Sequence, residues 1–251
     1  MTRPRRGNIA VDEGDLKAAR EARGKSYEVW EAVLAAAPRD EASRYQVALA
    51  AKNLSAVEQR FDEFALAAKH AERARDLDQE RCTASPQDAS AQLDLSFDLS
   101  ELAELAIRSS DLVKAADYYR QARRIREQLL ANDPGNQRLK DRTAYIQSRE
   151  GRVQVQLKHL REARAAFERA LELRRELAED KSSLRAQVAL AESQGDLGAW
   201  FCSSGDRVRG VAQLKEALAA ADALGARDAL NIEDRESVRE MRAQLEQCSR
   251  P

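Results

Sequence analysis

Three internal prolines recur at a fixed interval, and this interval constrains the fold more than any other feature of the sequence. Pro38, Pro86 and Pro134 are each separated by 48 residues. Proline lacks an amide hydrogen and its ring clashes with the preceding helical turn, so it cannot continue a helix. A regular interval of this length predicts an array of stacked structural repeats.

Other residue types follow the same interval. Good helix N-cap residues come two positions after each proline, namely Asp40, Asp88 and Asn136. Three further sets recur with it: Leu49, Phe97 and Tyr145; Phe64, Leu112 and Leu160; and Ala67, Ala115 and Ala163. A fourth unit drifts by one residue and lacks the proline, but it keeps Leu197-Gly198 and Gly205-Asp206 as markers.

Each unit is predicted to be a pair of antiparallel helices. In the third unit, the first helix should run from near Asn136 to about Leu157, and the second from Leu160 to about Glu179. Apolar residues of this second helix have the spacing of one helical face: Leu160, Ala163, Phe167, Ala170, Leu171 and Leu177. One pair cannot bury such a stripe alone, so neighbouring pairs must stack and form a continuous, elongated core.

The corners and second helices resemble those of tetratricopeptide repeats. The matching residues are Leu160, Ala163, Phe167 and Ala170 in the third unit, and Gly205, Asp206, Gly210, Leu214 and Ala217 in the fourth. The sequence LLANDPGN at 129–136, with Ile125-Arg126-Glu127 before it, is similar to the long repeats of bacterial multidomain signalling proteins, which often follow a Ser/Thr kinase domain. The resemblance covers about residues 14–224, and no kinase residues are present.

The expected fold class is all-α: an α-solenoid of antiparallel helix pairs that forms a right-handed superhelix with a C-terminal capping helix. We expect one solenoid domain over residues 8–249. Its predicted parts are a leader and half-repeat (1–37), four repeats (38–85, 86–133, 134–181 and 182–225) and a capping helix (226–251). The capping helix, centred on residues 228–247, would give the array the polar end that solenoids need for solubility.

The first part is a half-repeat because Gly14-Asp15-Leu16 matches a repeat corner and second-helix start, which leaves no room for the first helix of that unit. Two explanations stay open. Either residues 1–13 are a frayed leader, or the chain is the tail of a longer one whose upstream part covers that face.

Charge and cysteine usage exclude several functional classes. The 42 Lys and Arg residues balance 43 Asp and Glu residues, and the arginine clusters at 120–126 and 161–175 alternate with glutamate. Such clusters predict ion-paired helix surfaces, with no nucleic-acid partner. No apolar run approaches the roughly 20 residues of a membrane span. Cys82, Cys202 and Cys248 are widely spaced with no CxxC, which predicts reduced thiols in a cytoplasmic protein.

No catalytic or cofactor-binding signature is present, so we expect neither an enzyme nor a bound cofactor or metal. The sequence has no glycine-rich phosphate loop, no HExxH and no GxSxG. His70 and His159 are expected on the solvated surface. Cys202 lies beside Trp200 and Phe201 without a nearby base, so it is expected to be packed in the interior rather than to act as a nucleophile.

Asp94, Asp98 and Glu101 share one helix face, because they are spaced i, i+4 and i+7. Grouped carboxylates can hold a hard cation or perform acid–base chemistry. Neither a glycine turn nor a histidine accompanies them, so a solvated or partner-facing stripe is favoured.

The resemblance implies that function lies in a groove, because the first helices of tetratricopeptide arrays line a concave face that binds peptides. The matched positions are Leu49, Lys52, Gln59 and Arg60; Phe97, Ser100, Glu104 and Arg108; Tyr145, Ser148, Arg152 and Gln156; and Glu192, Cys202 and Ser203. Arg60, Arg108 and Arg152 lie close to one phase, which favours an acidic peptide or a C-terminal carboxylate. The Lys/Asn carboxylate-clamp pattern of chaperone-binding members is not reproduced.

Three functions are weighed on these grounds. The leading hypothesis is a non-catalytic scaffold that binds a protein or peptide through its concave face, as a regulatory or docking module of a bacterial signalling system. The alternative is self-assembly into a homo-oligomer through the uncovered N-terminal half-repeat. The remote alternative is an enzyme, which would use a metal near Asp94–Glu101 or a reactive thiol at Cys202.

Glu150 and Gln154 depart from the repeat pattern, because other units carry apolar or small residues there, such as Leu102 and Ala106. Buried without partners, each polar side chain would cost a few kcal/mol. Either these groups serve a contact or the helix is rotated so that residues 146, 153 and 157 face inward, and the rotation is favoured.

Overall fold

The computed structural model describes residues 13–250, which form ten helices joined by short turns, without a β-strand in that range. The helices are α1 (Glu13–Ala36), α2 (Glu41–Arg60), α3 (Phe64–Ala84), α4 (Ala89–Arg108), α5 (Leu112–Asn132), α6 (Gln137–Gln156), α7 (Leu160–Leu177), α8 (Leu184–Ser203), α9 (Arg207–Gly225) and α10 (Ile232–Ser249). The predicted all-α solenoid class is confirmed. Residues 1–12 of the predicted leader (1–13) lie outside the described part of the chain.

Two compact units divide the chain, Met1–Ile125 and Arg126–Pro251, and the division falls within α5. In the first unit, α2 and α3 form a pair, with α1 packed on α2. In the second unit, α6 pairs with α7 and α8 pairs with α9, while α10 packs on α8 and α9.

The predicted N-cap residues begin three of the first helices. Asp40, Asp88 and Asn136 each accept a hydrogen bond from a backbone amide two or three residues further on, at 2.8–3.0 Å. These bonds satisfy amide groups that have no partner within the helix. The fourth unit lacks both the proline and the aspartate, and Ser183 caps α8 there.

At the corner between the two helices of each pair, one residue has the left-handed backbone conformation. Asp62, Ser110, Lys158 and Gly205 have φ angles of 59°, 63°, 64° and 95°. After each of the first three, the next amide bonds to a carbonyl five residues earlier, at 2.9–3.1 Å. This geometry reverses the chain and satisfies helix-end carbonyl groups. The first three corners adopt it with non-glycine residues.

The second unit brings paired helices close together at glycine. A methyl group on Gly151 would lie 2.6 Å from the ring of Phe167, and one on Gly198 would lie 2.9 Å from Leu214. Both distances are too short for a real contact, so these positions accommodate glycine alone unless a neighbour moves. Ser55 occupies the corresponding position in the first unit.

Helix α10 continues the pattern of first helices. Four of its residues follow four residues of α8 at an interval of 48: Val238, Met241, Leu245 and Cys248 follow Leu190, Ser193, Leu197 and Trp200. Its outer side differs. Arg239 and Glu246 stand where α8 has the small residues Ala191 and Gly198. Long charged side chains on this side disfavour the close approach of a second helix.

Helix α1 corresponds to a second helix of the repeat, and no first helix precedes it within residues 13–250. Val29 precedes Leu77 of α3 by one repeat interval, and it is 60% exposed whereas Leu77 is 2% exposed. Ser26 is exposed, whereas Ala74, one interval later, is fully buried. Within residues 13–250, therefore, the face of α1 that would meet a first helix is uncovered.

The favoured rotation of α6 does not remove Glu150 and Gln154 from the interior. Ile146 and Val153 are buried as the rotation predicted, but Glu150 and Gln154 are buried as well. Rotation of the helix therefore does not explain the polar residues at these two positions, and the preference for it was wrong. Gln154 forms a hydrogen bond with Nδ1 of His159 at 2.9 Å, which provides its buried amide with a partner.

Candidate functional site

The groove residues predicted from the repeat lie on the first helices, and one recurring position keeps large apolar side chains in solvent. Leu49 in α2 is 41% exposed, and Tyr145 in α6 is 49% exposed. Phe97, at the same position of α4, is half-buried. Tyr45, one turn before Leu49, is exposed too. We use the name first-helix strip for the position of Leu49, Phe97 and Tyr145 together with the predicted groove residues near it on the same helices.

Lys52 of the strip is held inside an ion cluster. Its Nζ lies 2.5 Å from Asp78 Oδ2 on α3 and 3.1 Å from Asp98 Oδ1 on α4. Arg81 Nη1 bridges Asp78 Oδ1 at 2.5 Å and Asp94 Oδ2 at 3.2 Å. The cluster therefore joins the first repeat to the second, and Lys52 contributes to packing between repeats.

The carboxylate stripe on α4 was expected to be solvated or to face a partner, and this expectation was wrong. Asp98 binds Lys52, Asp94 binds Arg81, and Glu101 accepts a hydrogen bond from Gln59 Nε2. All three thus contact the preceding repeat. Among residues 13–250, no group of three or more His, Cys, Asp or Glu side chains is arranged to hold a metal ion.

Burial changes the titration of this cluster. It raises the pKa of Asp98 to about 8; the charge of Lys52 opposes the rise, whereas the neighbouring carboxyl of Asp78 adds to it. Burial alone would lower the pKa of Lys52, but the charges of Asp98 and Asp78 raise it above its usual value. Asp98 therefore takes up a proton near neutral pH.

The remaining strip residues of the first unit have local contacts or reach solvent. Ser100 donates a hydrogen bond to the Ser96 carbonyl at 2.6 Å, and Glu104 accepts one from the hydroxyl of Tyr119. The guanidinium of Arg108 lies 5.7 Å from the ring centre of Phe64, within the range of a cation–π contact. Arg60 is exposed at the end of α2.

In the second unit, Arg152 lines a shallow notch between α6, α8 and α10. The lining residues are Arg152, Glu192, Asp196, Ser237, Glu240, Met241 and Gln244. Arg152 Nε lies 2.8 Å from Asp196 Oδ1, and the charge of Asp196 raises the pKa of Arg152. Burial raises the pKa of Glu192, and the charge of Asp234 adds to the rise. Ser148 is half-buried, and Gln156 and Ser203 are exposed.

The predicted reduced state of all three cysteines was wrong. Cys202 and Cys248 form a disulfide with their Cα atoms 5.6 Å apart, so Cys202 is not the free packed thiol that the sequence predicted. Cys82 is not disulfide-bonded, and burial raises the pKa of its thiol, which disfavours the reactive thiolate. The prediction of a cytoplasmic location loses the support that it took from reduced thiols.

The prediction that both histidines are solvated was wrong for His70. Its Nδ1 lies 2.8 Å from Oε2 of the buried Glu58, and its ring packs edge-on against Tyr27. His159 is exposed, with its hydrogen bond to Gln154. The predicted ion-paired surfaces are confirmed by pairs one helical turn apart, such as Arg164 with Glu168 at 2.8 Å. The prediction was wrong for Arg126 and Arg174, whose side chains are buried.

What the repeat pattern missed are contacts between neighbouring repeats. Their partners are 42–46 residues apart: Arg73 with Glu31, Lys52 with Asp98, Gln59 with Glu101, Lys114 with Glu72, Arg152 with Asp196, and Cys202 with Cys248. A separation slightly shorter than the repeat interval was the available signal, since it places two residues on helices that stack.

Solved structures of tetratricopeptide-like proteins have a similar fold. BtubC (BKLC) from P. vanneervenii has a TM-score of 0.60 and 20% identity, covering 93% of this chain and 89% of that chain. A putative kinesin light chain from Podosopora anserina, with nearly identical TPR-like repeats, has a TM-score of 0.52 and 18% identity, covering 86% of this chain and 89% of that chain. At these identities the likeness shows the fold. No protein-family model and no curated protein matches the sequence.

Helices that cross a membrane are long and apolar. None of the helices in the described part of the chain is both long enough and apolar enough to cross a membrane.

Proposed function

We propose that this chain is a non-catalytic scaffold that binds a protein or peptide through the first-helix strip. The observation that carries the proposal is the exposure of Leu49 and Tyr145, which occupy one recurring position on α2 and α6. Exposed aromatic and large apolar residues on a rigid surface are typical anchors of binding interfaces. Because the helices are already ordered, little conformational entropy opposes binding.

The charges of the strip support different partner chemistry in each unit. In the first unit, Arg60 and Arg108 present guanidinium groups, which favours acidic residues or a terminal carboxylate of the partner. In the second unit, Arg152 is already paired with Asp196, and the notch adds Glu192 and Glu240. The acidic part of the partner is therefore assigned to the first unit.

The proposed setting is a regulatory or docking role in a bacterial signalling system. It rests on the similarity of residues 125–136 to the long repeats of multidomain signalling proteins.

Site-specific photo-crosslinking tests the proposed surface. A photoreactive phenylalanine analogue replaces Leu49 or Tyr145, and in control proteins it replaces Val113 or Val208, which are strongly exposed on second helices. Adducts with one common protein from both strip positions, but not from the control positions, are expected. Equal adducts from all four positions, or none from the strip, would contradict the proposal.

Binding measurements with the crosslinked partner then distinguish the apolar contacts of the strip from its charged contacts. Leu49→Asp and Tyr145→Asp should each weaken binding about tenfold or more, as expected for anchor residues. Arg60→Glu with Arg108→Glu should weaken it and reduce its dependence on salt. Val208→Asp serves as the matched control and should bind normally; unchanged binding by the arginine variant would remove the acidic-partner assignment.

Self-assembly is a second candidate, favoured by the uncovered face of α1. Val29 is exposed where its counterpart one repeat later is buried. Light scattering after size exclusion, on the wild type and on Val29→Glu, tests this candidate. A wild-type oligomer that the substitution dissociates would support it, and a monomer at all concentrations would exclude it.

A further inference from the structure

The disulfide fastens one end of the terminal helix. It joins the last turn of α8 to the last turn of α10, between residues 46 positions apart. The bridge lies against bare backbone, because a methyl group on Gly210 would be 2.3 Å from Cys202 Sγ. Glycine at the start of α9 therefore makes room for the bridge.

The rest of α10 is held by other contacts. Asn231 and Asp234 form a capping box at its first turn, and Arg185 Nη1 lies 2.7 Å from Asp234 Oδ1. Val238 and Met241 are buried in a core cluster with residues of α8 and α9. These contacts fix the first half of the helix without the disulfide.

The last two turns have few such contacts. Leu245 is partly buried, and residues 246, 247, 249 and 250 are exposed. Arg207 donates one hydrogen bond to the Arg250 carbonyl, at 2.9 Å. Cys248, buried and covalently bonded, is therefore the main attachment of this end.

We propose that the Cys202–Cys248 disulfide is a redox-controlled clamp on the last two turns of α10. In the oxidised protein the clamp holds these turns on the second unit. In the reduced protein they exchange between bound and released states, while the first half of α10 stays in place. Because Gln244 lines the notch, the clamp also fixes this part of its wall.

The reducing agent is a dithiol, and the exposure of the two cysteines sets the order of events. Cys202 is partly exposed whereas Cys248 is buried, so the thiolate of the dithiol attacks Cys202 Sγ. A mixed disulfide forms there, and Cys248 leaves as a thiolate that takes up a proton. The second thiol of the reductant then displaces Cys202, so that the reductant is oxidised to a disulfide and the protein gains two electrons and two protons.

Thiol counting and hydrogen exchange on the full chain test the clamp. After mild air oxidation, denatured protein should titrate one thiol, Cys82, and after dithiothreitol it should titrate three. Amide exchange in peptides covering residues 244–249 should accelerate about tenfold or more on reduction, since the turns then open locally. Peptides from α2 to α4 should be unchanged.

Three substitutions complete the test. Cys202→Ser and Cys248→Ser should each show the exchange of the reduced protein under oxidising conditions, and their thermal midpoint should fall by about 5 °C or more. Cys82→Ser, the matched control, should behave like the wild type. Should a serine variant fail to fold, reduction of the wild type gives the same comparison.

Two results would overturn the proposal. One is three titratable thiols in the air-oxidised wild type. The other is equal exchange of the last two turns in the oxidised and the reduced protein. Neither readout depends on a binding partner, so the clamp and the proposed scaffold function are tested separately.

Discussion

The two units pack the same repeat with different chemistry. The first unit joins its repeats through buried charge, with Lys52, Asp78 and Asp98 in one cluster. The second unit also has an ion pair between repeats, Arg152 with Asp196, but it adds volume and covalent bonding: Phe167 packs on the bare backbone of Gly151, and a disulfide holds its last helix.

This difference teaches that one backbone repeat does not fix how its interfaces are stabilised. Burying ion pairs has a desolvation cost that good geometry only partly offsets, so such an interface depends on pH and on every partner. A close-packed apolar interface depends instead on volume. We therefore expect pH to act on the first unit through Asp98, and cavities and reductants to act on the second unit.

The two tryptophans make this comparison measurable, because each unit contains one. Trp30 packs beside the core cluster of the first unit, and Trp200 belongs to a cluster of the second. In Trp200→Phe protein, fluorescence follows the first unit, and in Trp30→Phe protein it follows the second. The predictions below use these two backgrounds.

The largest effect is expected from Phe167→Ala. Phe167 is buried against Ala163, Leu171 and Trp200, and truncating a buried phenylalanine leaves a cavity that costs about 3–5 kcal/mol. Urea unfolding followed through Trp200 should show this loss. Val208→Ala, on the exposed start of α9, should change stability by less than about 0.5 kcal/mol. A loss below about 1 kcal/mol for Phe167→Ala would refute the volume argument.

Lys52→Met should destabilise the first unit by about 2–3 kcal/mol, because it leaves Asp98 buried without its cation. This is less than for a fully buried pair, since Lys52 is partly exposed. The loss should be larger at pH 9 than at pH 6, where Asp98 can be protonated. The double substitution Lys52→Met with Asp98→Leu should recover much of the stability in urea unfolding followed through Trp30; no recovery would mean that the charges are not coupled.

Asp98 should make the first unit less stable as pH rises. Its pKa is about 8 in the folded chain and about 4 in an unfolded one, so between these values the folded state binds more protons. The contribution of Asp98 is therefore fully present below about pH 4 and is lost as pH rises through 8, by a few kcal/mol. Asp98→Asn should flatten this slope in the Trp30 signal and leave the second unit unchanged. An unaltered slope would show that Asp98 does not titrate in this range.

The smallest effect is expected at the corners. Lys158 has a φ angle of 64°. This conformation is strained for a residue that carries a β-carbon, whereas glycine adopts it without strain. Lys158→Gly should therefore stabilise the second unit by about 0.5–1 kcal/mol, and Gly205→Ala should destabilise it by a similar amount. Thermal unfolding followed through Trp200 compares the two substitutions, and a loss for Lys158→Gly would contradict the strain argument.

Sequence signals that act over a few residues predicted the helices well. Pro38 with Asp40, and Pro134 with Asn136, located the starts of α2 and α6, and the spacing of Leu160, Ala163 and Phe167 located the buried face of α7. These features act within one helix or its first turn. They can therefore be recognised without knowledge of the neighbouring helices.

The candidate site was predicted less completely. The pattern placed Leu49 and Tyr145 on the first helices, where both are exposed, but it did not predict that Lys52 and Arg152 bind carboxylates of the next repeat. It also treated Cys202 and Cys248 as separate thiols. Each of these side chains meets its partner only after two repeats have stacked.

The sequence by itself thus determined the period, the helix ends and the apolar stripes, because proline, N-cap residues and amphipathic spacing act over a few residues. The tertiary structure decided which charges are buried together and which cysteines meet. Those outcomes depend on the rotation and separation of stacked helices, and the repeat interval alone specifies neither.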